Sequence, residues 1–455
     1  MATASRGQWS GRMGFIFAAA GSAIGLGNIW RFPYSAGENG GGAFVLIYLI
    51  FVFAIGIPVV LAELSIGRHS QKNPVGAFKA LVPNSLWPWV GGLGVLTGFG
   101  ILAFYGVIAG WTLSYLWGAV TGVYGGVMTA EQSGALFTEL IGNPGKAIFL
   151  TGAFMLLTVL VVRGGVSKGI ERVTKVLMPL LLIILIILAI RSVTLPGGME
   201  GLVYLFKPDF SKITVVVIMS ALGQALFSLS LGMGAMITYG SYFPDSENLF
   251  SAGITVALFD TAIALLAGLI IFPALFSAGV EPGAGPGLVF VVLPSIFGSL
   301  PAGQFFAIAF YALLAIAALT STISLLEVTV SYFVDEKGWS RNKAAWILGG
   351  GCFVFAVPSA LSNGAVPMFT DFLGTGMDFL SLNNILWGNY SLSIGAISLC
   401  VFVGWKWGVP NAVKSLEVSG HKMPAAPLFG FLVRYVCPAA VGAVLIYVIV
   451  TGNYF

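Results

Sequence analysis

The fold is decided by one stretch in the first apolar segment, Gly21-Ser-Ala-Ile-Gly-Leu-Gly-Asn-Ile-Trp-Arg-Phe-Pro33. The surrounding segment, residues 12–35, is long enough to cross a bilayer, yet three glycines interrupt its centre and an amide and a cation follow them. Open backbone at membrane depth is tolerated only where it is buried in protein or lines a cavity. Such a Gly-interrupted segment is typical of the binding site of a secondary transporter. Close helix packing through small residues is the alternative interpretation.

The composition indicates an integral membrane protein. Of 455 residues, 58% are hydrophobic and 8% are charged, whereas soluble domains carry about 25% charged residues. The first apolar run is long and ends in charges, so no cleaved signal peptide is expected. The three cysteines lie in separate apolar segments, which favours neither a disulfide framework nor a metal cluster. The net charge of +4 does not indicate a nucleic-acid partner.

The sequence does not favour an enzyme. Its two histidines, His69 and His421, both lie in basic loops. No motif brings a nucleophile and a base together.

Eleven apolar runs approach or exceed the roughly 20 residues that a membrane helix needs. We therefore predict an all-α integral membrane protein with eleven transmembrane helices. The runs lie near residues 12–35, 41–67, 87–121, 146–162, 169–191, 214–241, 249–276, 303–334, 342–362, 380–405 and 427–451.

Lys and Arg residues are distributed unequally between the two sides of this arrangement. With the N-terminus inside, sixteen of the 21 Lys and Arg residues fall on the cytoplasmic side. Cytoplasmic loops carry an excess of these residues. We expect a multi-pass protein of the plasma membrane, with a cytoplasmic N-terminus and an external C-terminus.

The sixth run repeats the interruption of the first. It contains Gly223-Gln-Ala-Leu-Phe-Ser-Leu-Ser-Leu-Gly-Met-Gly234, one unit of five helices further along. Corresponding breaks in two halves of a transporter are expected of an inverted repeat. We predict a single domain, 1–455, in which repeat one covers about 10–192 and repeat two about 213–408. An additional helix covers about 427–451.

Polar residues inside the other runs supply partners for the broken helices. Glu63 and Asp260 are costly at membrane depth and are expected to face protein or water. Oxygen ligands suit a dehydrated monovalent cation. One predicted set combines Asn28, Ser228 and Asp260, and another combines open backbone near Gly21 and Ile24 with Thr320 and Ser321. Taken alone, these last hydroxyls more often bond to carbonyls of their own helix.

The other residues expected around the binding cavity predict the class of substrate. Helix ends at the breaks direct N–H groups toward a carboxylate. The side chains expected around it are apolar, which suits an apolar side chain of the substrate. They are Ile101, Tyr105, Phe227, Met233 and Leu325.

Five motifs resemble those of the neurotransmitter:sodium symporter family, over most of the chain. They are Gly27-Asn-Ile-Trp-Arg-Phe-Pro-Tyr34, Glu38-Asn-Gly-Gly-Gly-Ala-Phe44, Ser167-Lys-Gly-Ile-Glu-Arg172, Phe227-Ser-Leu-Ser-Leu-Gly232 and Leu319-Thr-Ser-Thr-Ile-Ser324. The chain looks most like the eleven-helix bacterial hydrophobic amino-acid symporters, which share the broken-helix, inverted-repeat fold of the bacterial leucine transporter.

The resemblance implies two sodium sites and one substrate site. Sodium site one would use Ala23, Asn28, Ser228 and Asp260 together with the substrate carboxylate. Sodium site two would use Gly21, Ile24, Ala317, Thr320 and Ser321. The substrate contacts would be Ala23, Leu26, Gly27, Ile101, Tyr105, Phe227, Ser228, Ser230, Met233, Ser321 and Leu325.

The resemblance also implies roles for single residues. Tyr105 would hold the substrate carboxylate, Phe227 would cover the pocket, and Glu63 would contact unwound backbone. Arg31 would guard the outer side, with Asn384 or Asp378 as its partner. The cytoplasmic side would be closed by Arg6, Trp9, Tyr242 and Asp335.

These features together predict a sodium-coupled symporter that imports hydrophobic and aromatic L-amino acids by alternating access, with two Na+ ions. Related proteins that need chloride have Asn where this chain has Asp260, so chloride independence is expected. Met233 is adaptable and favours a broad apolar pocket. The alternatives are an amino-acid sensor that does not transport, and transport of a small amine or osmolyte by the same fold. Ser22, in place of the acidic residue usual for amines, favours a substrate with its own carboxylate. The sequence does not predict the oligomeric state.

Overall fold

The structure is a computed structural model that describes residues 7–283 and 285–454, and all of the longer elements among these residues are helices. In chain order, and apart from short 3-10 turns, they are α1 (Arg12–Ala23), α2 (Gly27–Glu38), α3 (Gly42–Ser70), α4 (Pro74–Leu81), α5 (Pro88–Val120), α6 (Ala130–Gly142), α7 (Pro144–Val162), α8 (Val166–Val193), α9 (Gly198–Phe206), α10 (Val215–Ser228), α11 (Ala235–Gly240), α12 (Leu249–Ser277), α13 (Val292–Ser299), α14 (Gly303–Lys337), α15 (Arg341–Ala360), α16 (Pro367–Thr370), α17 (Phe379–Lys406), α18 (Val409–Leu416) and α19 (Ala426–Thr451).

The described part of the chain contains nine helices that are long and apolar enough to cross a membrane. The pair α1 and α2, bent by 50° at its junction, makes a tenth span. The remaining expected span, 214–241, is divided into α10 with 14 residues and α11 with 6 residues. The prediction of an all-α membrane protein is confirmed, with nine or ten spans among the described residues. An eleventh span formed by α10 and α11 stays a prediction.

Both expected breaks are present. Helix α1 ends where Ile24 takes an extended conformation, with φ −72° and ψ 108°. Between α10 and α11, Ser230 and Gly232 take positive φ angles of 55° and 81°. A Cβ atom on Gly232 would lie 2.3 Å from the Leu392 carbonyl oxygen, so only glycine fits there. A non-glycine residue with positive φ, such as Ser230, is held by its surroundings and is typical of functional sites.

The fifth expected span is continuous in this structure. Its weak points, Gly169 and Pro179, suggest that its first half unwinds or is kinked. In the structure α8 runs from Val166 to Val193 with Pro179 inside it, and it begins with a wide π-helical turn over Val166–Glu171. The close approach of Gly169 to the Val161 carbonyl oxygen, 2.3 Å from an added Cβ, explains why a glycine lies in this turn.

Helix packing brings the two breaks together in the centre of the protein. The longest helices, α5 and α14, pack along each other, while α1 packs against α12 and α14. Helix α11 packs against α3 and α14. The break after α1 and the break before α11 therefore both face α14, between α5 and α12.

Candidate functional site

The open backbone after α1 finds partners on three other helices. The Leu26 N–H donates to the Tyr105 hydroxyl at 2.8 Å, and Gln224 Nε2 donates to the Gly27 carbonyl oxygen at 2.8 Å. The Gly25 N–H donates to Asn28 Oδ1 at 3.0 Å. Side chains therefore replace the helical hydrogen bonds that the break removes, as buried backbone requires.

The first predicted oxygen set forms one buried cluster. Asn28 Nδ2 lies 2.7 Å from Asp260 Oδ1 and 3.1 Å from Ser228 Oγ. The Ser228 hydroxyl donates to Asp260 Oδ2 at 2.7 Å. All three side chains are buried. The cluster has the hard oxygen donors that an alkali cation prefers, although Asn28 presents its nitrogen to Asp260. Binding of a cation by Asn28 Oδ1 requires this amide to turn.

The second predicted oxygen set joins α14 to the end of α1. Thr320 Oγ1 lies 3.4 Å from the Ile24 carbonyl oxygen and 3.0 Å from that of Ala317. Ser321 Oγ lies 3.4 Å from the Ile24 oxygen. Gly21 faces Thr320, because an added Cβ would lie 3.2 Å from Thr320 Cβ. These oxygens come from two helices, so the hydroxyls do more than bond to their own helix.

A small pocket of about 20 Å³ lies between the two breaks. Its lining contains most of the predicted substrate contacts: Ala23, Gly27, Ile101, Tyr105, Phe227, Ser230, Met233, Ser321 and Leu325. Ser22 and Gly25 also line it and were not predicted. Of the other predicted contacts, Leu26 lines the outer cavity described next, and Ser228 lies in the first oxygen cluster.

An outer cavity of about 70 Å³ adjoins this pocket. Phe227 lines both spaces, and the Arg31 guanidinium lies 4.4 Å from the centre of its ring. Asn384 lines the cavity together with Arg31. Asp378 instead caps α17, where it accepts hydrogen bonds from Ser381. The geometry therefore favours Asn384 over Asp378 as the neighbour of Arg31.

The predicted inner residues lie in two separate groups. Trp9 Nε1 donates to the Tyr239 carbonyl oxygen at 3.0 Å, and the Trp9 N–H donates to the Tyr242 carbonyl oxygen at 3.1 Å. Asp335 accepts hydrogen bonds from the Asn73 N–H and Nδ2, both at 3.2 Å. Arg6, the fourth predicted residue, lies outside the described residues.

Two residues of this predicted cytoplasmic side, Glu327 and Arg341, were not predicted from the sequence. The Tyr242 hydroxyl donates to Glu327 Oε1 at 2.8 Å, and Arg341 forms an ion pair with the same carboxylate. Glu327 is fully buried in α14. A carboxylate in an apolar run is itself a signal for a functional residue, so Glu327 could have been found in the same way as Glu63.

Glu63 connects α3 to the second break. Its Oε1 accepts a hydrogen bond of 2.7 Å from the Gly232 N–H. The carboxylate therefore holds unwound backbone, as the resemblance implied. Tyr48, which was not predicted, adds a fully buried hydroxyl next to the Asp260 carboxylate.

We expect Gly25→Ala to abolish most substrate binding. An added Cβ would lie 2.4 Å from Ser321 Oγ and 2.5 Å from the Tyr105 hydroxyl oxygen, closer than real contacts allow. Both side chains are buried and cannot move away freely. Binding of labelled amino acid to purified protein measures the effect. Gly351→Ala on α15, where nothing lies within 4 Å of the new Cβ, is the matched control. Equal binding by the two variants would contradict this assignment of the pocket.

Comparison with known proteins identifies the family of the chain. Residues 6–125 and 134–454 match the Sodium:neurotransmitter symporter family. The uncharacterized sodium-dependent transporter YhdH of Bacillus subtilis is 40% identical over 436 residues, which cover 95% of this chain and 96% of YhdH. An uncharacterized sodium-dependent transporter of Haemophilus influenzae is 40% identical over 410 residues, which cover 88% of this chain and 89% of the relative.

A solved structure shares the whole fold. The crystal structure of MhsT in complex with L-phenylalanine superposes with a TM-score of 0.89 at 46% sequence identity, covering 97% of this chain and 99% of MhsT. The sequence match and the fold match both extend over nearly the full described chain. The chain therefore belongs to the sodium:neurotransmitter symporter family and is a sodium-dependent membrane transporter.

Proposed function

We propose that the protein imports hydrophobic L-amino acids, including aromatic ones, together with sodium. The observation that carries this proposal is the pocket between the breaks, where Ile101, Met233 and Leu325 supply apolar walls next to the Tyr105 hydroxyl and the open backbone. A zwitterionic amino acid fits such a pocket because its carboxylate can bind the hydroxyl and backbone N–H groups. Its side chain then contacts the apolar wall.

The carboxylate of the substrate also connects it to sodium. In this proposal, sodium site one consists of the Ala23 carbonyl, Asn28, Ser228, Asp260 and the substrate carboxylate. Sodium site two consists of the carbonyls of Gly21, Ile24 and Ala317 with Thr320 and Ser321. Two ions moved with one zwitterion through a potential of 100 mV provide about 4.6 kcal/mol. That energy supports a concentration ratio of roughly 10³ before any sodium gradient is added.

The size of the preferred side chain is inferred from two observations. MhsT, which has the same fold at 46% identity, was crystallised with L-phenylalanine. Met233 lines the pocket here, and its flexible thioether adapts to side chains of different shape. We therefore expect both branched aliphatic and aromatic amino acids to be accepted. The pocket of about 20 Å³ must expand to hold them, which agrees with alternating access between different conformations.

Sodium-dependent uptake into proteoliposomes, competed by each of the twenty amino acids, tests the proposal. Phenylalanine, tryptophan, leucine, isoleucine and valine are expected to compete strongly, and charged amino acids are expected not to. Competition by glycine and alanine alone would contradict the substrate class. Binding without accumulation or counterflow would instead identify an amino-acid sensor. Competition by an amine without a carboxylate would favour the amine transporter.

Replacement of chloride by gluconate is expected to leave the uptake rate unchanged. Asp260 already places a carboxylate in the first oxygen cluster, 2.7 Å from both the Asn28 amide and the Ser228 hydroxyl. This carboxylate can supply the negative charge that chloride brings elsewhere. Initial uptake rates at constant sodium, with either anion on both sides of the membrane, measure the effect. Strong stimulation by chloride would refute chloride independence.

We also propose the orientation that the positive charges indicate. The N-terminus and the inner residues Trp9, Tyr242 and Asp335 face the cytoplasm, Arg31 faces the outside, and the membrane is the plasma membrane. The two halves, about 10–192 and 213–408, form the inverted repeat, and the helix at about 427–451 lies outside it.

A further inference from the structure

A lateral groove lies on the far side of α5 from the two breaks. It has a volume of about 560 Å³ and is formed by α5, α14 and α15 together with the start of α4. Trp89 and Leu96 border it, with 77% and 57% of their surfaces exposed. Because these helices span the membrane, the groove opens toward lipid. It is separate from both cavities of the substrate pathway.

The depth of the groove corresponds to one leaflet. Along α5 its lining extends from Pro88 to Phe99, a rise of roughly 16 Å at 1.5 Å per residue. Half of the hydrocarbon core is about 15 Å thick. Exposed tryptophan marks the level of the membrane interface, so Trp89 places the mouth of the groove near the lipid headgroups. Phe99 then lies near the bilayer centre, just before Ile101 of the pocket.

The walls of the groove carry no charged residue among the side chains that line it. The Ser85 hydroxyl at the mouth is already bonded to the Val82 carbonyl oxygen at 2.7 Å. Deeper in the groove, Thr329 is 3% exposed, and its hydroxyl has no hydrogen-bond partner in the described part of the chain. A long, flexible and apolar occupant fits these largely apolar walls.

We propose that this groove binds one acyl chain of a membrane phospholipid. The ester end of the chain lies near Trp89 and its methyl end near Phe99. The chain packs on α5, which carries Tyr105 on its opposite side, and on α14, which carries Ser321 about two turns before Thr329. The bound lipid therefore supports the two helices that form one wall of the substrate pocket. This inference rests on the membrane fold and does not depend on the identity of the substrate.

A variant that fills the groove tests the proposal. Gly92 lines the groove, and no atom lies within 4 Å of a Cβ added to it. Leucine at this position therefore occupies the space of the chain without a backbone clash. Gly351→Leu is the matched control, because Gly351 is an exposed glycine of α15 with the same free space and lies outside the groove.

The measurement is the number of phospholipids retained per protein. The protein is reconstituted in dioleoylphosphatidylcholine nanodiscs, extracted in detergent and analysed by native mass spectrometry. The wild type and Gly351→Leu are expected to retain one lipid, and Gly92→Leu is expected to retain roughly tenfold less. Equal retention by all three proteins, or no retained lipid in the wild type, would overturn the proposal.

Two further variants complete the test. Thr329→Val removes the free hydroxyl with little change of shape, so an acyl chain is retained as in the wild type. Loss of the ligand in Thr329→Val would show a polar occupant and overturn the proposal. If Gly92→Leu does not fold, Leu348→Phe fills the same groove from α15. The same loss of lipid is expected, and full retention by Leu348→Phe would overturn the proposal.

Discussion

Asp260→Asn is expected to weaken sodium activation of uptake strongly in chloride-free medium. The carboxylate is fully buried and lies 2.7 Å from both Asn28 Nδ2 and Ser228 Oγ. Two opposite unit charges 4 Å apart attract by about 4 kcal/mol at an effective dielectric constant of 20. Removal of the charge therefore lowers sodium affinity by at most roughly a thousandfold, and relaxation of the site reduces this factor.

Chloride is expected to restore part of the lost activity of Asp260→Asn. The Ser228 hydroxyl and the buried Tyr48 hydroxyl next to it can both donate to an anion once the carboxylate is gone. The variant should therefore become chloride-dependent, unlike the wild type. Sodium titrations of uptake in chloride and in gluconate, for wild type and variant, measure both effects.

Asp209→Asn is the matched control for this substitution. Asp209 caps an exposed turn, where its Oδ1 accepts a hydrogen bond of 3.0 Å from the Ser211 N–H. Asparagine caps a turn about as well as aspartate, so sodium activation should not change. A half-saturating sodium concentration of Asp260→Asn that equals the wild-type value in gluconate would remove Asp260 from the sodium site.

The central site could be predicted because its signals are local and costly. A break in a membrane helix needs glycine, as at Gly232, where only glycine avoids the Leu392 carbonyl. A carboxylate in an apolar run needs partners, and Asp260 has two. The family motifs then indicate that Thr320 and Ser321, on a third helix, lie beside the open backbone of the first break. These elements meet because α5, α12 and α14 pack around the breaks.

The parts that were missed depend on contacts between distant elements. The neighbour of Arg31 follows from the path of the chain before α17, where Asp378 acts as a helix cap and Asn384 lines the outer cavity. Tyr48 is an ordinary aromatic residue in its own helix, and only packing brings it next to Asp260. The lateral groove likewise belongs to four helices at once, so no single segment indicates it.

The orientation of the Asn28 side-chain amide could not be predicted from the sequence, for a different reason. Asn28 was expected to bind sodium through its oxygen. In the structure Oδ1 accepts from the Gly25 N–H, and Nδ2 faces Asp260. The two arrangements differ by one rotation of a side chain, and the assignment of O and N in an amide rests on the hydrogen-bond network. Asn28 can therefore complete the hydrogen-bond cluster of this structure and, after rotation of its amide, coordinate a bound ion.

Tyr105→Phe is expected to raise the KM for hydrophobic amino acids by roughly 10–100-fold with little effect on sodium binding. The hydroxyl accepts a hydrogen bond of 2.8 Å from the Leu26 N–H and lines the pocket. In the proposed complex it also donates to the substrate carboxylate, and hydrogen bonds to charged groups contribute about 1.5–3 kcal/mol. The variant leaves a buried N–H unpaired and the carboxylate without its donor. Uptake kinetics and sodium binding without substrate separate the two effects.

Tyr115→Phe distinguishes a lost contact from a damaged helix. Tyr115 lies on the same helix, α5, and its hydroxyl donates to the Phe290 carbonyl oxygen at 2.5 Å, away from the pocket lining. Both variants lose one buried hydroxyl bond and so a similar amount of folding free energy. Only Tyr105 touches the substrate in the proposed complex, so only its variant should change KM. An equal rise in both variants would attribute the effect to α5 as a whole, and an unchanged KM in Tyr105→Phe would place the substrate carboxylate elsewhere.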